Sequence, residues 1–290
     1  MKNTGPYSKI IAGTMTWGQW GKQFSTAQMA DLITFSLEQG ITTFDHADIY
    51  GDYTTEQEFG KAFKATGIAR ESIQLVTKFG IQMTSRSGNR VKHYQYDAAY
   101  ILKCAEQSLQ KLKTDYIDLL LLHRPSPLMH PDEIAEATQR LLAAGKIKQF
   151  GVSNVSPSQM GMLETAQSIA ANQVEFSLTH CDPMYDGTFD DCIQNDRTAM
   201  AWSPLGGFFR ENNTQNQRIQ TVLDTLKPKY DADENQLLLA FVLKHPAAVH
   251  PVIGTTNKKR IAAALQAVNI TLQVQDWFLL LQASQGHEAP

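Results

Sequence analysis

The feature that most constrains the fold is a regular alternation of short apolar segments with longer amphipathic stretches. Eight apolar segments occur in order, at residues 10–12, 42–46, 73–78, 117–123, 149–153, 172–176, 199–202 and 249–253. Most of them are continuously apolar, which is typical of parallel strands that are covered on both faces. Eight strand–helix units in one chain predict an α/β fold, a (β/α)8 TIM barrel.

The stretches between these segments carry helical periodicity and helix-end signals. Helices are predicted at residues 26–39, 98–112, 132–144, 157–168, 217–230, 234–244 and 257–267. Ser25 is a favourable N-cap for the first helix, and Gly40 is a favourable residue just beyond its end. No linker-like tract interrupts the pattern, so residues 1–290 are predicted to form a single domain. An open doubly wound sheet fits less well, because the segment 13–18 lacks the GxGxxG spacing.

Composition excludes several classes of function. The chain has 26 Lys and Arg against 29 Asp and Glu, a net charge of −3, whereas non-specific nucleic-acid binding needs a dense basic face. The longest apolar runs are far shorter than the roughly 20 residues of a membrane span. Residues 1–6 lack the apolar region of a signal peptide, and the three cysteines show no CxxC spacing. We therefore expect a cytoplasmic protein that binds neither nucleic acid nor membrane.

Polar residues at the ends of the predicted strands indicate the chemistry. Active sites of TIM barrels lie at this end, and Asp45, Tyr50, Lys78 and His123 all fall there. A tyrosine hydroxyl, with an ordinary pKa of about 10, becomes a better acid beside a cation such as Lys78. Asp45 can keep that ammonium charged, and His123 can donate to a substrate oxygen. These groups can polarise and protonate a carbonyl, and the hydride for its reduction would have to come from a nicotinamide cofactor.

Six ordered segments of the chain resemble the aldo-keto reductase family. They are residues 44–51 with Glu56 and 59–60, then 76–80, 115–123, 151–154, 172–175 and 202–206. Residues 46–50 and 123–129 are most similar to the YdhF-like branch of bacterial oxidoreductases. The resemblance covers nearly the whole chain. It implies an NADP(H)-dependent oxidoreductase that reduces the aldehyde or ketone carbonyl of a small molecule to an alcohol.

The resemblance also implies a role for each residue of the site. Tyr50 would be the proton donor, and Lys78 would lower its pKa. Asp45 would be the partner of Lys78, and His123 would orient the carbonyl. The resemblance further implies that Gly13 and Thr14 lie beneath the cofactor and that Trp202 stacks on its nicotinamide ring. The carboxamide would be bound by Ser153, Asn154 and Gln173, and the pyrophosphate by Ser203, Pro204, Leu205 and Gly206. The adenosine 2′-phosphate would be bound by Gly254, Thr255, Thr256, Lys258 and Arg260.

Two other functions remain open from the sequence. The family also includes channel β-subunits, so a nicotinamide-binding regulatory module with little turnover is the main alternative. Alternatively, His46 and Asp48 could join Asp45 and His123 as metal ligands of a barrel hydrolase. No HxH pair places two histidines on one strand face, which weighs against a metal site.

The sequence is less informative about the walls of the pocket. Trp17, Trp20, Phe208 and Phe209 could line a substrate pocket or could only pack the loops. Substrate selectivity is expected to depend on the loops at residues 83–96, 124–131 and 208–217. The sequence indicates neither the natural substrate nor the oligomeric state.

Overall fold

Parallel strands that follow one another along the chain close into a barrel. The computed structural model describes residues 6–288, and residues 1–5, on which most of the signal-peptide expectation rests, lie outside this range. The strands are β1 (Ile11–Gly13), β2 (Thr43–Asp45), β3 (Gln74–Phe79), β4 (Ile81–Gln82), β5 (His93–Tyr94), β6 (Ile117–Leu122), β7 (Ile147–Ser153), β8 (Ala171–Glu175), β9 (Thr198–Trp202) and β10 (His250–Ile253). The barrel order is β1-β10-β9-β8-β7-β6-β3-β2, which confirms the predicted TIM barrel. β4 and β5 form a separate antiparallel hairpin.

Helices connect the strands and cover the outside of the barrel. They are α1 (Thr26–Glu38), α2 (Tyr50–Tyr53), α3 (Thr55–Thr66), α4 (Ala98–Leu112), α5 (Pro131–Ala143), α6 (Pro157–Glu164), α7 (Thr188–Gln194), α8 (Thr214–Tyr230), α9 (Glu234–Leu243), α10 (Lys258–Gln266) and α11 (Val274–Gln285). All seven predicted helices are present with small shifts at their ends, whereas α2, α3, α7, α11 and the hairpin were not predicted. No helix within residues 6–288 is long and apolar enough to cross a membrane.

The core consists of a small layer inside the barrel and larger layers between the strands and the helices. Inside the barrel, Ile11, Val76, Leu119, Leu121 and Met200 pack together. Other residues of the barrel strands point outwards into the helix layers, where Phe44 of β2 and Leu120 of β6 are buried. Both faces of each strand are therefore covered, which explains why the strands are continuously apolar in sequence.

One glycine shows how closely the helices pack. Gly60 of α3 faces the end of α4, and a Cβ atom at this position would lie 2.2 Å from the carbonyl oxygen of Lys111. Such a distance is far inside van der Waals contact, so only glycine permits this approach of the two helices.

The parallel register brings the carboxyl ends of the strands to one end of the barrel. Asp45 pairs with Gly13 on one side and with Val76 on the other, and Ser153 pairs with Gln173. Residues that lie 128 positions apart in sequence, such as Asp45 and Gln173, are consequently in hydrogen-bond contact. This end of the barrel holds the candidate site.

Candidate active site

A buried ion pair between Lys78 and Asp45 lies at the centre of the site. The Lys78 ammonium donates to both carboxylate oxygens of Asp45, at 2.8 and 2.7 Å, and to the carbonyl oxygen of His46 at 2.8 Å. The Lys78 side chain is 1% exposed and that of Asp45 is 4% exposed. Burial by itself would lower the pKa of Lys78, but Asp45 and Tyr50 together outweigh burial and the pKa is raised. Lys78 is therefore a fixed positive charge.

The hydroxyl of Tyr50 lies against this charge. The Lys78 ammonium donates to the Tyr50 hydroxyl at 3.3 Å and lies 5.1 Å from the centroid of its ring. Tyr50 begins α2, where Gly51 and Asp52 have positive φ angles of 59° and 55°, so the chain turns sharply after the tyrosine. Burial raises the pKa of Tyr50 more than Lys78 lowers it. The expected influence of Lys78 is present, but in the free protein it only offsets part of the effect of burial.

The imidazole of His123 faces Tyr50 across the site. The two ring centroids lie 6.2 Å apart with the rings nearly perpendicular. Burial first, and then the charges of Lys78, Arg124 and Lys92, hold the pKa of His123 well below its usual range, so the ring is neutral. Its Nδ1 atom is buried and has no hydrogen-bond partner among residues 6–288. We therefore assign the single proton to Nε2, since a buried donor without an acceptor would be more costly.

These groups adjoin a cavity of about 1050 Å³ at the mouth of the barrel. It is large enough for a cofactor together with a small substrate. Of the residues predicted from sequence, it is lined by Gly13, Asp45, Tyr50, His123, Ser153, Asn154, Gln173, Trp202, Ser203, Pro204, Leu205, Gly206, Gly254, Thr255 and Arg260. Lys78 lies behind Asp45 and Tyr50 rather than in the wall. Thr14 is also fully buried, and its hydroxyl donates to the carbonyl oxygen of Asp45 at 2.9 Å.

Polar side chains from three neighbouring strands form one wall of the cavity. Trp202 donates through its indole nitrogen to Asn154 Oδ1 at 2.9 Å, and Asn154 donates to the Ser153 hydroxyl at 2.7 Å. The Gln173 amide nitrogen donates to Asp45 Oδ1 at 2.9 Å, whereas its amide oxygen accepts no hydrogen bond from residues 6–288. Asn154 has a φ angle of +58°, a conformation that is uncommon outside glycine and is concentrated at functional sites.

A tight turn after β9 forms the next part of the wall. Ser203 has a φ of +49°, and the Gly206 amide donates to the Ser203 carbonyl oxygen at 2.8 Å. Gly206 has a φ of +54°, and a Cβ atom here would lie 1.9 Å from the Thr179 hydroxyl oxygen. Only glycine fits this position, which explains the Gly206 of the sequence motif.

The far end of the cavity contains part of the predicted phosphate site. Gly254, Thr255 and Arg260 line the cavity, whereas Thr256 and Lys258 do not. Lys258 instead forms an ion pair with Asp31 of α1 at 2.7 Å. Of the cations at the start of α10, Lys258 therefore contacts a neighbouring helix, whereas Arg260 lines the cavity.

Sequence reasoning missed several residues of the cavity wall. Trp20 and Phe209 line the cavity, whereas Trp17 and Phe208 are buried in the core. Lys92, Arg124 and Arg210 also line the cavity, and they lie in the three loops from which selectivity was expected, although they were not singled out. Further lining residues outside those loops that were not predicted include Met15, Thr16 and Asn235. The position of Arg124, directly after His123, was the available signal.

His46, one of the residues considered as a metal ligand, is part of the packing behind the site. Its ring lies 4.3 Å from that of Phe59, and Nδ1 is 2.9 Å from the Thr14 hydroxyl oxygen. Burial first, and then Lys78, lower the pKa of His46 to about 3, so it is neutral. Within residues 6–288, no group of three or more His, Cys, Asp or Glu side chains is arranged to hold a metal ion.

Comparisons with known proteins agree with this architecture. The oxidoreductase YcsN of Bacillus subtilis is 40% identical over 98% of this chain and 96% of its own length. The oxidoreductase YdhF of Escherichia coli is 39% identical, also over 98% of this chain and 96% of its own length. An aldo/keto reductase of Klebsiella pneumoniae, solved with NADP and acetate, is 26% identical with a TM-score of 0.79 over 100% of this chain and 97% of its own. The profile of the aldo/keto reductase family matches residues 9–283. The chain belongs to the aldo/keto reductase family of oxidoreductases.

Proposed function

We propose that this protein uses NADPH to reduce the carbonyl group of an aldehyde or ketone to an alcohol, with Tyr50 as the proton donor. The observation that carries the proposal is the contact of the Tyr50 hydroxyl with the buried Lys78–Asp45 pair, beside the neutral ring of His123. NADPH would supply the hydride. No side chain can act as a hydride donor, so the protein's part is binding, orientation and proton transfer.

The residues of the cavity fit a nicotinamide cofactor. The free amide oxygen of Gln173 can accept from a carboxamide, and Ser153 and Asn154 lie beside it. The Trp202 ring offers an aromatic face, and the turn of Ser203 to Gly206 offers backbone amides to a pyrophosphate. Arg260 at the start of α10 can bind the 2′-phosphate of NADPH. The NADP in the Klebsiella relative supports the same choice of cofactor.

Tyr50 is suited to donate a proton at neutral pH. Its raised pKa keeps the hydroxyl protonated in the free protein. As the carbonyl oxygen gains negative charge, it becomes a strong acceptor for that proton, and the adjacent Lys78 charge stabilises the phenolate that remains. Asp45 keeps Lys78 charged throughout, because unpaired burial would favour the neutral amine.

His123 is suited to orient the carbonyl. A neutral ring with its proton on Nε2 can donate one hydrogen bond to the substrate oxygen without competing with Tyr50 for the role of acid. The low pKa of His123 follows from burial and nearby cations, so this state persists across the physiological pH range.

The test is the consumption of NADPH, followed by its near-ultraviolet absorbance, with a panel of aromatic and aliphatic aldehydes. Turnover is expected with the wild type and with Tyr185→Phe, a control at a tyrosine that is 60% exposed. NADPH binding without turnover of any aldehyde or ketone would favour the regulatory module instead. Loss of NADPH consumption after treatment with a chelator would indicate a metal requirement that the proposed mechanism does not contain.

A further inference from the structure

Arg124 is a cation in the wall of the cavity. It follows His123 in sequence, and its guanidinium lies 5.2 Å from the centroid of the Trp202 ring. Its backbone is held by Tyr96, whose hydroxyl donates to the Arg124 carbonyl oxygen. The guanidinium makes no hydrogen bond and no ion pair with residues 6–288. Its five donors are therefore available to a ligand in the cavity.

Lys92 adds a second cation to the same part of the cavity. It lies between the hairpin strands β4 and β5, and its ammonium also has no ionic partner within residues 6–288. Both Lys92 and Arg124 are close enough to His123 to lower its pKa. Among residues 6–288, the cavity wall contains one carboxylate, that of Asp45, and Lys78 neutralises it.

The charges of the cavity contrast with those of the whole chain. The protein has a net charge of −3, yet in the part of the chain that the structure describes, four cations and one paired carboxylate line the cavity. Arg210 and Arg260 lie on the side assigned to the cofactor phosphates. Arg124 and Lys92 lie on the side of the proton donor, where a cofactor phosphate is not expected. A concave site lined by one sign of charge attracts ligands of the opposite sign.

From this arrangement we propose that Arg124, assisted by Lys92, binds an anionic group of the substrate, so that the preferred substrates are aldehydes or ketones that carry a carboxylate or a similar acidic group. The proposal rests on the proposed function and specifies its substrate class. A planar guanidinium can bind a carboxylate with two parallel hydrogen bonds. Trp20, Ile49, Ile81 and Met83 provide an apolar wall for the part of the substrate between its acid and its carbonyl group.

The experiment compares two aldehydes that differ mainly in charge, 4-formylbenzoate and its methyl ester. The ester has the more electrophilic carbonyl, so intrinsic reactivity would favour it. The proposal predicts the opposite, a kcat/KM for 4-formylbenzoate at least about tenfold higher, within the range of about 10- to 100-fold for one charge-assisted hydrogen-bonded pair. The advantage should shrink as ionic strength rises.

Variants assign the preference to residues. Arg124→Met should bring the two kcat/KM values to within about threefold, and Arg124→Lys should keep part of the preference, because charge remains while the bidentate geometry is lost. Lys92→Met, at an exposed side chain, should reduce the preference less. The control is Lys103→Met on the outer face of α4, which changes net charge equally and should leave the ratio unchanged.

The possible outcomes are distinguishable. A wild type that reduces both aldehydes without preferring the acid, or an Arg124→Met variant that keeps the preference, would overturn the proposal. An Arg124→Met variant that loses both activities equally and binds NADPH at least tenfold more weakly would also overturn it, because the arginine would then serve the cofactor. Failure of the wild type to oxidise NADPH with any aldehyde would instead refute the proposed function.

Discussion

The buried pair of Lys78 and Asp45 gives the sharpest prediction about stability. Asp45→Asn would remove the negative charge and replace one of the two oxygens that lie 2.7 and 2.8 Å from the Lys78 ammonium by an amide NH2 group. The ammonium would keep only uncharged acceptors, the remaining amide oxygen, the His46 carbonyl and the Tyr50 hydroxyl. Breaking a buried ion pair by removing one partner costs about 3–5 kcal/mol. Because the cavity admits water near Asp45, we expect the lower end, a loss of about 3 kcal/mol in the free energy of unfolding.

The double variant Asp45→Asn/Lys78→Met separates this effect from simple loss of contacts. It removes both charges, so no ion remains buried without a partner, and replacing a buried pair by uncharged groups is often close to neutral. We expect it to be at least about 1 kcal/mol more stable than Asp45→Asn alone. The assay is urea unfolding followed by tryptophan fluorescence. Losses of the two single variants that simply add in the double variant would refute this account of the pair.

The pH dependence provides an independent check with a definite sign. In the wild type, the folded pKa of Lys78 is raised, so its contribution is complete at neutral pH and is lost only as pH rises through that pKa. In Asp45→Asn, burial acts without the carboxylate and lowers the folded pKa below the unfolded value of about 10.4. The unfolded chain then binds more protons between the two values. The variant should therefore gain stability, relative to the wild type, as pH rises from neutrality towards 9.

Three further predictions concern the cofactor site and the packing behind it. Arg260→Ala should raise the Kd of NADPH by about 10- to 150-fold in fluorescence titrations and change the Kd of NADH by less than about threefold. Lys258→Ala, which removes a contact with Asp31, should change neither Kd. Equal weakening of the binding of both cofactors by Arg260→Ala would contradict this role of Arg260. Gly206→Ala should weaken NADPH binding at least tenfold, because the turn must move to relieve the 1.9 Å contact with Thr179, and unchanged affinity would refute the fit. The pKa of His46 is 6.5 in the unfolded chain and about 3 in the folded chain, so the free energy of unfolding falls as pH falls between these values. His46→Gln should reduce the slope of this free energy against pH, measured by urea unfolding, by about 1.4 kcal/mol per pH unit. An unchanged slope would contradict the burial of a neutral ring.

The barrel strands could be predicted because both of their faces are buried. Their side chains are apolar on the inner and outer sides, as with Leu119 and Leu120 of β6, so each strand appears as a short continuous run. α3 was not predicted because its sequence is largely polar. It carries Glu56 and other polar residues shortly after the segment 44–51 that contains Tyr50, and part of its packing depends on the fit of Gly60 against α4. The two-residue strands of the β4–β5 hairpin are too short to give any periodic signal.

The catalytic candidates could be placed by a general rule, because polar residues after buried parallel strands meet at one end of a barrel. The sequence could not show the direction of individual side chains. Lys258 and Arg260 lie in one run of cations, yet one contacts Asp31 and the other lines the cavity. Arg124 reaches the Trp202 ring across the barrel mouth, and β7 and β8 separate their strands in the barrel order. That contact exists only after the barrel has closed.

The central claim, proton donation by Tyr50, is tested most directly by a single turnover. The protein is first saturated with NADPH and then mixed rapidly with an aldehyde, and the decay of NADPH absorbance reports the chemical step without product release. Tyr50→Phe should slow this decay by about 10²- to 10⁴-fold while the Kd of NADPH changes by less than about threefold. A Tyr50→Phe variant that keeps more than about a tenth of the wild-type rate would contradict the account.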